Sequence, residues 1–251
     1  WIRDTKAWNL LKGVIVILIF LLFAAILRLS TILWIAEKVF SVGIIADLFM
    51  HPDKTVEEVA ETHLLAELSE VPEEELKKTL AALTFIDLYV RYTFRGRAIQ
   101  ELVDAGIKVH VFGDGWELLE CRHPENLMIM NSLDSAGCLK KLCQAKLSLN
   151  VMPWFKNGAH DRIFNSMLNG AVCLTDSSIY LDEILHDGKD CSLYSLERME
   201  RLPEIAKDLL SDPDRMQEIA DSGYELAQAG HTWAHRAGVL HNLVEEGRYS
   251  S

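Results

Sequence analysis

The sequence predicts an α/β fold in which a parallel, doubly wound sheet follows an all-helical N-terminal segment. Short apolar runs alternate with helical stretches between residues 107 and 194, which is the pattern of strands joined by helical crossovers. Before this region and after it, apolar residues recur at helical spacing instead. We therefore divide the chain into a hydrophobic helical segment at residues 1–50, a helical connector at 51–90 and a sheet domain at 91–251.

The composition is that of an ordinary globular protein. Of the 251 residues, 49% are hydrophobic and 25% are charged, which excludes a mainly disordered chain. The 14 glycines, 6 prolines and 5 cysteines are too few for a collagen-like chain or a disulfide scaffold. The net charge is −12, and an acidic protein is a poor partner for a phosphate backbone. We therefore expect no nucleic-acid partner.

The N-terminal segment contains the most apolar stretch of the chain. Residues 14–27 carry no polar side chain, and the run from about residue 8 to 27 has the length of a helix that crosses a bilayer. Lys12 near one end and the rings of Trp8 and Trp34 suit the membrane interface. A buried core helix and a signal peptide are the alternatives, although the residues after the run offer a poor cleavage site. The prediction is a transmembrane helix at about residues 8–27.

The cysteine pattern and the predicted membrane helix together indicate a location. The five cysteines are an odd number and contain no C-x-x-C pair, so reduced thiols in a cytosolic domain are the expected state. We expect a membrane-associated protein whose sheet domain lies in the cytoplasm.

Local signals place the helices that precede the sheet. Thr55 and Glu58 form a capping-box pattern at the start of one helix. Pro72 and the glutamates after it start a second helix, which the apolar spacing extends towards Tyr92. A third helix covers residues 98–105 and ends at Gly106, a residue suited to a left-handed C-cap.

Five short apolar or β-branched runs predict the strands. They cover residues 107–112, 127–130, 147–152, 171–174 and 191–194. Between the strands we predict helices at residues 134–144, 163–168 and 181–185. The chain from residue 196 to 243 is predicted to be helical, with Pro203 and Pro213 near helix starts.

Ligands of an open parallel sheet bind beyond the carboxyl ends of its strands. This rule selects three loops, at residues 113–116, 153–162 and 175–180. The middle loop leads into a helix, whose free N–H groups and positive dipole suit a phosphate. Arg162 can add a bidentate contact and Lys156 a point charge. No G-x-G-x-x-G motif follows a strand and no P-loop motif occurs, so dinucleotide and P-loop sites lack support.

Three stretches of the sequence resemble one enzyme family. Residues 160–176, HDRIFNSMLNGAVCLTD, are similar to the C-terminal half of group 1 glycosyltransferases. Residues 109–116, VHVFGDGW, and residues 231–236, HTWAHR, resemble the strand with its glycine turn and the closing helix of the CgeB-like (spore-coat maturation type) bacterial branch. The resemblance covers about residues 85–245.

The resemblance implies a Rossmann-like domain that forms the C-terminal half of a GT-B fold. It further implies that this half binds a nucleotide-diphosphate sugar without a metal or another cofactor, and that the enzyme is a hexosyltransferase with an unknown acceptor. A helical segment stands where the family has its acceptor-binding half. Two glutamates of the wider group correspond to Asn157 and Asn165. The resemblance therefore carries over no carboxylate pair and no catalytic residue.

The candidate donor-binding residues come from the three loops and from the resemblance. They are Gly113, Trp116, Lys156, Asn157, His160, Asp161, Arg162, Asn165, Asp176 and Glu183. Several have a purely structural alternative. These alternatives are a cap with a surface ion pair for residues 160–162, core packing for Trp116, a helix cap for Asp176, a solvated helix face for Glu183 and a turn for Asn157.

Two functional hypotheses follow. The first is a glycosyltransferase at the cytosolic face of a membrane, with the donor diphosphate held at the helix start around residues 159–162. The second is a catalytically silent nucleotide-sugar-binding or scaffold module, which the amides at Asn157 and Asn165 favour. Neither includes a metal, because His231 and His235 have metal-ligand spacing but lack a third ligand.

Overall fold

The computed structural model describes residues 41–67, 72–153, 155–245 and 247. The transmembrane helix predicted at about residues 8–27 lies outside the described residues. Within the part that is described, no helix is both long and apolar enough to cross a bilayer.

The described chain opens with four helices. The described part of the first, α1, covers residues 41–50, and α2 (Val56–Glu67), α3 (Glu73–Ala82) and α4 (Thr84–Asp104) follow. The predicted capping box before α2 is confirmed. The Thr55 N–H donates to Glu58 Oε2 at 2.8 Å, and the Glu58 N–H donates to Thr55 Oγ1 at 3.1 Å. Two otherwise unpaired N–H groups at the helix start are satisfied in this way.

The helix boundaries predicted between residues 72 and 105 are wrong. Instead of one helix ending near Tyr92 and another beginning at residue 98, the chain breaks at Leu83 and α4 then runs without interruption. The reason is a buried stripe at four-residue spacing, formed by Ile86, Val90, Phe94, Ala98 and Leu102. Because the stripe is continuous, one face of α4 stays packed against the core on both sides of residue 91, and the helix does not end near Tyr92. The predicted end is confirmed, since Gly106 adopts φ +85°.

All five predicted strands are present, but they form two parallel sheets rather than one. In the first sheet β1 (Val109–Phe112) pairs with β2 (Leu127–Met130). In the second sheet β3 (Leu147–Asn150), β4 (Val172–Thr175) and β5 (Ser192–Leu193) lie in that order. No ladder joins the described strands β1 and β3. Val109, Val111 and Leu149 pack in one apolar cluster, so side chains rather than backbone hydrogen bonds connect the two sheets.

Helices follow the strands in the order that the sequence predicts. They are α5 (Ser135–Leu142), α6 (Asp161–Leu168) and α7 (Ile179–Ile184), then a 3-10 helix (Leu196–Arg201), α8 (Leu202–Ser211), α9 (Pro213–Gly230) and α10 (Trp233–Glu245). The central strand β4 is buried on both faces. Leu174 packs with α4 and α8, whereas Cys173 packs with α6 and α7. Helices therefore cover both faces of this sheet, as in other doubly wound folds.

The N-terminal helices belong to the largest core cluster of the described chain. Ile44 from α1 and Val59 from α2 share this cluster with Phe94 on α4, Leu174 on β4 and Leu202 on α8. Residue 91, where the sequence analysis starts the sheet domain, lies inside α4. The division of the chain into three segments stays a prediction.

Replacing Gly223 with alanine should destabilise the fold by about 2 kcal/mol, because α9 passes close to the backbone before β5. A Cβ atom at Gly223 would lie 2.5 Å from the carbonyl oxygen of Asp190. Gly230 ends the same helix and a Cβ there meets nothing within 4 Å, so Gly230→Ala is the control. Urea unfolding followed by circular dichroism measures both. Equal midpoints for the two variants would contradict this packing.

Candidate functional site

A rigid, buried polar layer lies at the carboxyl ends of β3, β4 and β5. The Tyr194 hydroxyl donates to the carbonyl oxygen of Asn150 at 2.9 Å. The Asn150 amide nitrogen donates to Thr175 Oγ1 at 2.9 Å, while its Oδ1 is buried and accepts from no described donor. Buried polar groups are normally paired, so Asn150 Oδ1 is an unused acceptor at this edge of the described sheet.

Asp176 follows β4 directly and is only 3% exposed. Its Oδ1 accepts from the Met152 N–H at 2.8 Å, which ties the ends of β3 and β4 together. Burial raises the pKa of Asp176 to about 6, although that hydrogen bond and the charges of Lys156 and Arg162 lower it. Asp176 does not cap α7, because Ser178 does so by accepting from the Leu181 N–H.

Arg162 lies in the first turn of α6 and carries the clearest unmet bonding capacity. Its Nε and Nη2 atoms are buried and donate to no described acceptor. Burial lowers the pKa of Arg162, and the positive charge of Arg95 lowers it further. Arg95 comes from α4 and is itself half-buried. We call these two residues the arginine pair.

His160 and Asp161 form a local contact at the start of α6. His160 Nδ1 lies 2.6 Å from Asp161 Oδ1 and 3.2 Å from the Arg162 N–H. A carboxylate only accepts hydrogen bonds, so the shorter contact requires the proton on Nδ1 and excludes a simultaneous cap. Burial and the charge of Arg162 lower the pKa of His160. The contact is a local hydrogen bond from His160 to Asp161 at the start of α6, next to Arg162.

Lys156 links the loop after β3 to the N-terminal helices. Its Nζ donates to the carbonyl oxygen of Pro52, just beyond α1. Burial lowers the pKa of Lys156, although Asp176 and Asp53 raise it. The ammonium group therefore already has a backbone acceptor, while its positive charge lowers the pKa of Asp176 at the carboxyl end of β4.

Three predicted residues line a cleft whose lining does not include Arg162. Asn157, Asp161 and Asn165 line a cleft of about 420 Å³ between α6, α7 and the start of α10. We call it the α6–α10 cleft. Its other polar and aromatic lining residues include Phe164, Tyr180, His231, Trp233 and Arg236. The predicted donor site is thus divided between the arginine pair and this cleft.

Gly113, Trp116 and Glu183 lie in neither place. Gly113 ends β1 with φ +113°, a conformation that favours glycine. Trp116 is half-buried and packs against the apolar cluster around Ile99 and Val111, as its structural alternative predicts. Glu183 is exposed on α7.

Arg95 has no signal in the sequence, whereas Tyr180 and Arg236 lie in stretches that the sequence singles out, residues 175–180 and 231–236, but are not among the predicted site residues. Arg95 lies beside the buried stripe of α4, and only folding brings its charge close enough to lower the pKa of Arg162. His231 and His235 are engaged separately, since His231 Nδ1 lies 2.9 Å from Arg236 Nη2 and His235 Nδ1 lies 2.6 Å from Thr232 Oγ1. In the described part of the chain no three His, Cys, Asp or Glu side chains gather as metal ligands do.

Residues 94–242 match the family described as glycosyl transferase-like. The fold resembles that of a sucrose-phosphate synthase from Thermosynechococcus elongatus, with a TM-score of 0.53 and 17% identity over 62% of this chain and 44% of that one. TarM resembles it with a TM-score of 0.45 and 13% identity, over 60% of this chain and 31% of that one. No curated protein sequence matches. The chain thus spans less than half the length of either solved structure.

Proposed function

Because the chain belongs to the glycosyl transferase-like family, we propose that it transfers a sugar from a nucleotide-diphosphate sugar to an acceptor. The family match and the fold resemblance support a GT-B glycosyltransferase. Membership of the CgeB-like branch, hexosyl transfer and metal-free donor binding are parts of this proposal. So are the transmembrane helix at about residues 8–27 and a cytoplasmic position of the sheet domain.

One observation carries the proposal for the donor site: the buried Nε and Nη2 of Arg162 have no described acceptor. Buried N–H groups without an acceptor are costly, and Arg95 adds a second positive charge to the same place, although the charges of Asp161 and Asp176 offset part of it. A diphosphate supplies planar pairs of anionic oxygens that match the guanidinium fork. Its binding would satisfy both N–H groups and relieve the repulsion within the arginine pair.

The same residues can assist the departure of the diphosphate. Negative charge develops on the leaving oxygen as the bond to the sugar breaks, and fixed cations at that position stabilise it. Arg162 and Arg95 are held there by α6 and α4, and the start of α6 adds its free N–H groups. Asn157 and Asn165 are neutral, so they contribute hydrogen bonds to hydroxyls rather than charge. We assign no catalytic residue.

Arg162→Gln should weaken the binding of a nucleoside diphosphate about 10- to 100-fold, because charged hydrogen bonds are lost. Calorimetric titration of the full chain with UDP and GDP, in the presence of EDTA, measures this effect. The variant should fold, since the two N–H groups that it removes have no described acceptor in the free protein. Arg201→Gln is the control, because Arg201 is 58% exposed at the end of the 3-10 helix. Undiminished affinity in Arg162→Gln would refute the donor site.

A second candidate function is a silent nucleotide-sugar-binding or scaffold module. One observation favours it: amides stand at Asn157 and Asn165, the positions that correspond to two glutamates of the wider group. Incubation with UDP- and GDP-sugars and measurement of released nucleotide separates the two functions. Binding without hydrolysis or transfer would favour the silent module.

A further inference from the structure

A second cavity lies between the N-terminal helices and the loop after β3. We call it the α4 cavity, because α4 contributes much of its lining. Its volume is about 330 Å³, which is the space of about ten water molecules. The buried residues that line it are all apolar, namely Leu48, Pro52, Leu83, Val90, Phe94 and Pro153. A charged group would lose its hydration against this floor without gaining a partner, so the body of a ligand must be apolar.

Two aromatic side chains of the α4 cavity favour a flat ligand. Phe94 lies on the floor, and its ring centre is 5.4 Å from that of Phe49, which packs on it outside the cavity. Phe155 comes from the loop after β3 and is 39% exposed, so it lies where the cavity opens to solvent. Aromatic rings pack well on one another, and a floor that is already fixed needs little reorganisation. The cavity therefore suits an aromatic ring.

The charges around the α4 cavity are balanced. Among the described residues that line it, Lys54 and Arg91 are cations, whereas Glu57 and Asp87 are carboxylates. Two of them already form an ion pair, since Arg91 Nε donates to Asp87 Oδ1 at 2.9 Å and Arg91 Nη2 lies 2.5 Å from Asp87 Oδ2. A ligand of either charge would thus meet attraction and repulsion together. In contrast to the arginine pair, this cavity favours a neutral ligand.

Asp87 gives the cavity a fixed hydrogen-bond acceptor. A carboxylate has about four lone-pair sites, and Arg91 uses one on each oxygen. The ion pair holds the carboxylate in place at the wall of the cavity, where its side chain is 23% exposed. The remaining lone pairs can accept from a hydroxyl group, and a hydrogen bond to a charged acceptor is stronger than one between neutral groups. The polar part of the ligand is therefore a hydrogen-bond donor.

We propose that the α4 cavity binds a neutral aromatic compound that carries a hydroxyl group. The ring lies on Phe94 and is covered by Phe155, and the hydroxyl donates to Asp87. None of the candidate donor-binding residues is among the described residues that line this cavity, so the site is separate from the donor site. It lies close to that site, because the Phe155 ring centre is 6.2 Å from that of His160. The inference rests on the cavity alone and goes beyond the proposed function.

The test compares 2-naphthol with 2-methoxynaphthalene, in which a methyl ether replaces the hydroxyl group. Saturation-transfer NMR titrations of the full chain at pH 7 should give an affinity about tenfold higher for 2-naphthol, because only its hydroxyl can donate to a carboxylate. Asp87→Leu should abolish this preference while the methyl ether still binds. Glu204→Leu is the matched control, because Glu204 is 65% exposed on α8, lies outside the cavity and also has an arginine neighbour.

Phe155→Ala should weaken the binding of both naphthalenes about fivefold, because the ring contact at the mouth of the cavity is lost. Tyr224→Ala is the control for this variant, since Tyr224 is an exposed aromatic residue on α9 outside the cavity. Circular dichroism confirms that each variant is folded.

Titration with UDP distinguishes failure of this inference from failure of the proposed function. We expect Asp87→Leu to keep UDP affinity and Arg162→Gln to keep 2-naphthol affinity. Equal binding of the two naphthalenes, binding of neither, a preference that survives in Asp87→Leu, or displacement of 2-naphthol by UDP would overturn the inference and leave the donor site intact. Absence of UDP binding, with the preference for 2-naphthol retained, would overturn the donor site and leave the α4 cavity as proposed.

Discussion

Phe94→Ala should lower the free energy of unfolding by about 3–5 kcal/mol, the usual range for removal of a buried aromatic ring. Phe94 is only 1% exposed and its ring centre lies 5.4 Å from that of Phe49 on α1. It belongs to the cluster that joins the N-terminal helices to α8 and β4. The cavity would therefore lie where the helical part of the chain meets the sheet.

Urea unfolding, followed by circular dichroism and by tryptophan fluorescence, measures this effect. Phe85→Ala is the matched control, because Phe85 lies on the same helix and is 75% exposed. We expect one cooperative transition in both variants. A loss below 1 kcal/mol, or separate transitions for the two signals, would show that the N-terminal helices do not share a core with the sheet. Truncation at residue 91 would expose the same cluster, so binding should be measured on the full chain.

The stability of the protein should fall as pH rises from 4 to above 6, because of Asp176. Its pKa is raised from 3.8 to about 6 by burial, so the folded protein holds this proton more tightly than the unfolded chain. The stabilisation from this proton is complete below the pKa of Asp176 in the unfolded chain, and it is lost as pH rises through the pKa of Asp176 in the folded protein. A shift of about two units corresponds to roughly 3 kcal/mol.

Asp176→Asn should remove this part of the pH dependence and should be more stable than the parent chain at pH 7.5 by roughly 3 kcal/mol. The amide oxygen of asparagine can still accept from the Met152 N–H, so the hydrogen bond between the strand ends is kept. Unfolding in urea at pH 4, 5, 6 and 7.5 measures the difference between the two proteins. Glu183→Gln provides the control for removal of an exposed carboxylate. Identical pH profiles for Asp176→Asn and the parent chain would contradict the raised pKa.

Local sequence patterns determined the elements of the fold. All five strands, the capping box at Thr55 and the helix end at Gly106 depend on residues within a few positions of one another, so the printed sequence was enough to predict them. The break at Leu83 is not predicted by the sequence, because the apolar spacing of the helix that starts at Pro72 continues through this residue. Only the packing of the buried stripe shows that residues 84–104 form one continuous helix and not parts of two helices.

The family resemblance also came from sequence, because its three motifs are contiguous stretches, and residues 94–242 match the glycosyl transferase-like family. Which side chains meet was decided by the tertiary structure alone. Arg162 and Asn165 are three residues apart, so helical periodicity makes them neighbours on the surface of α6, and only the tertiary structure shows which distant side chains each of them meets. Arg95 and Arg236 come from the distant helices α4 and α10, and no local pattern in either helix records the contact. Contacts between segments far apart in the chain are set by burial of apolar surface, which local spacing does not encode.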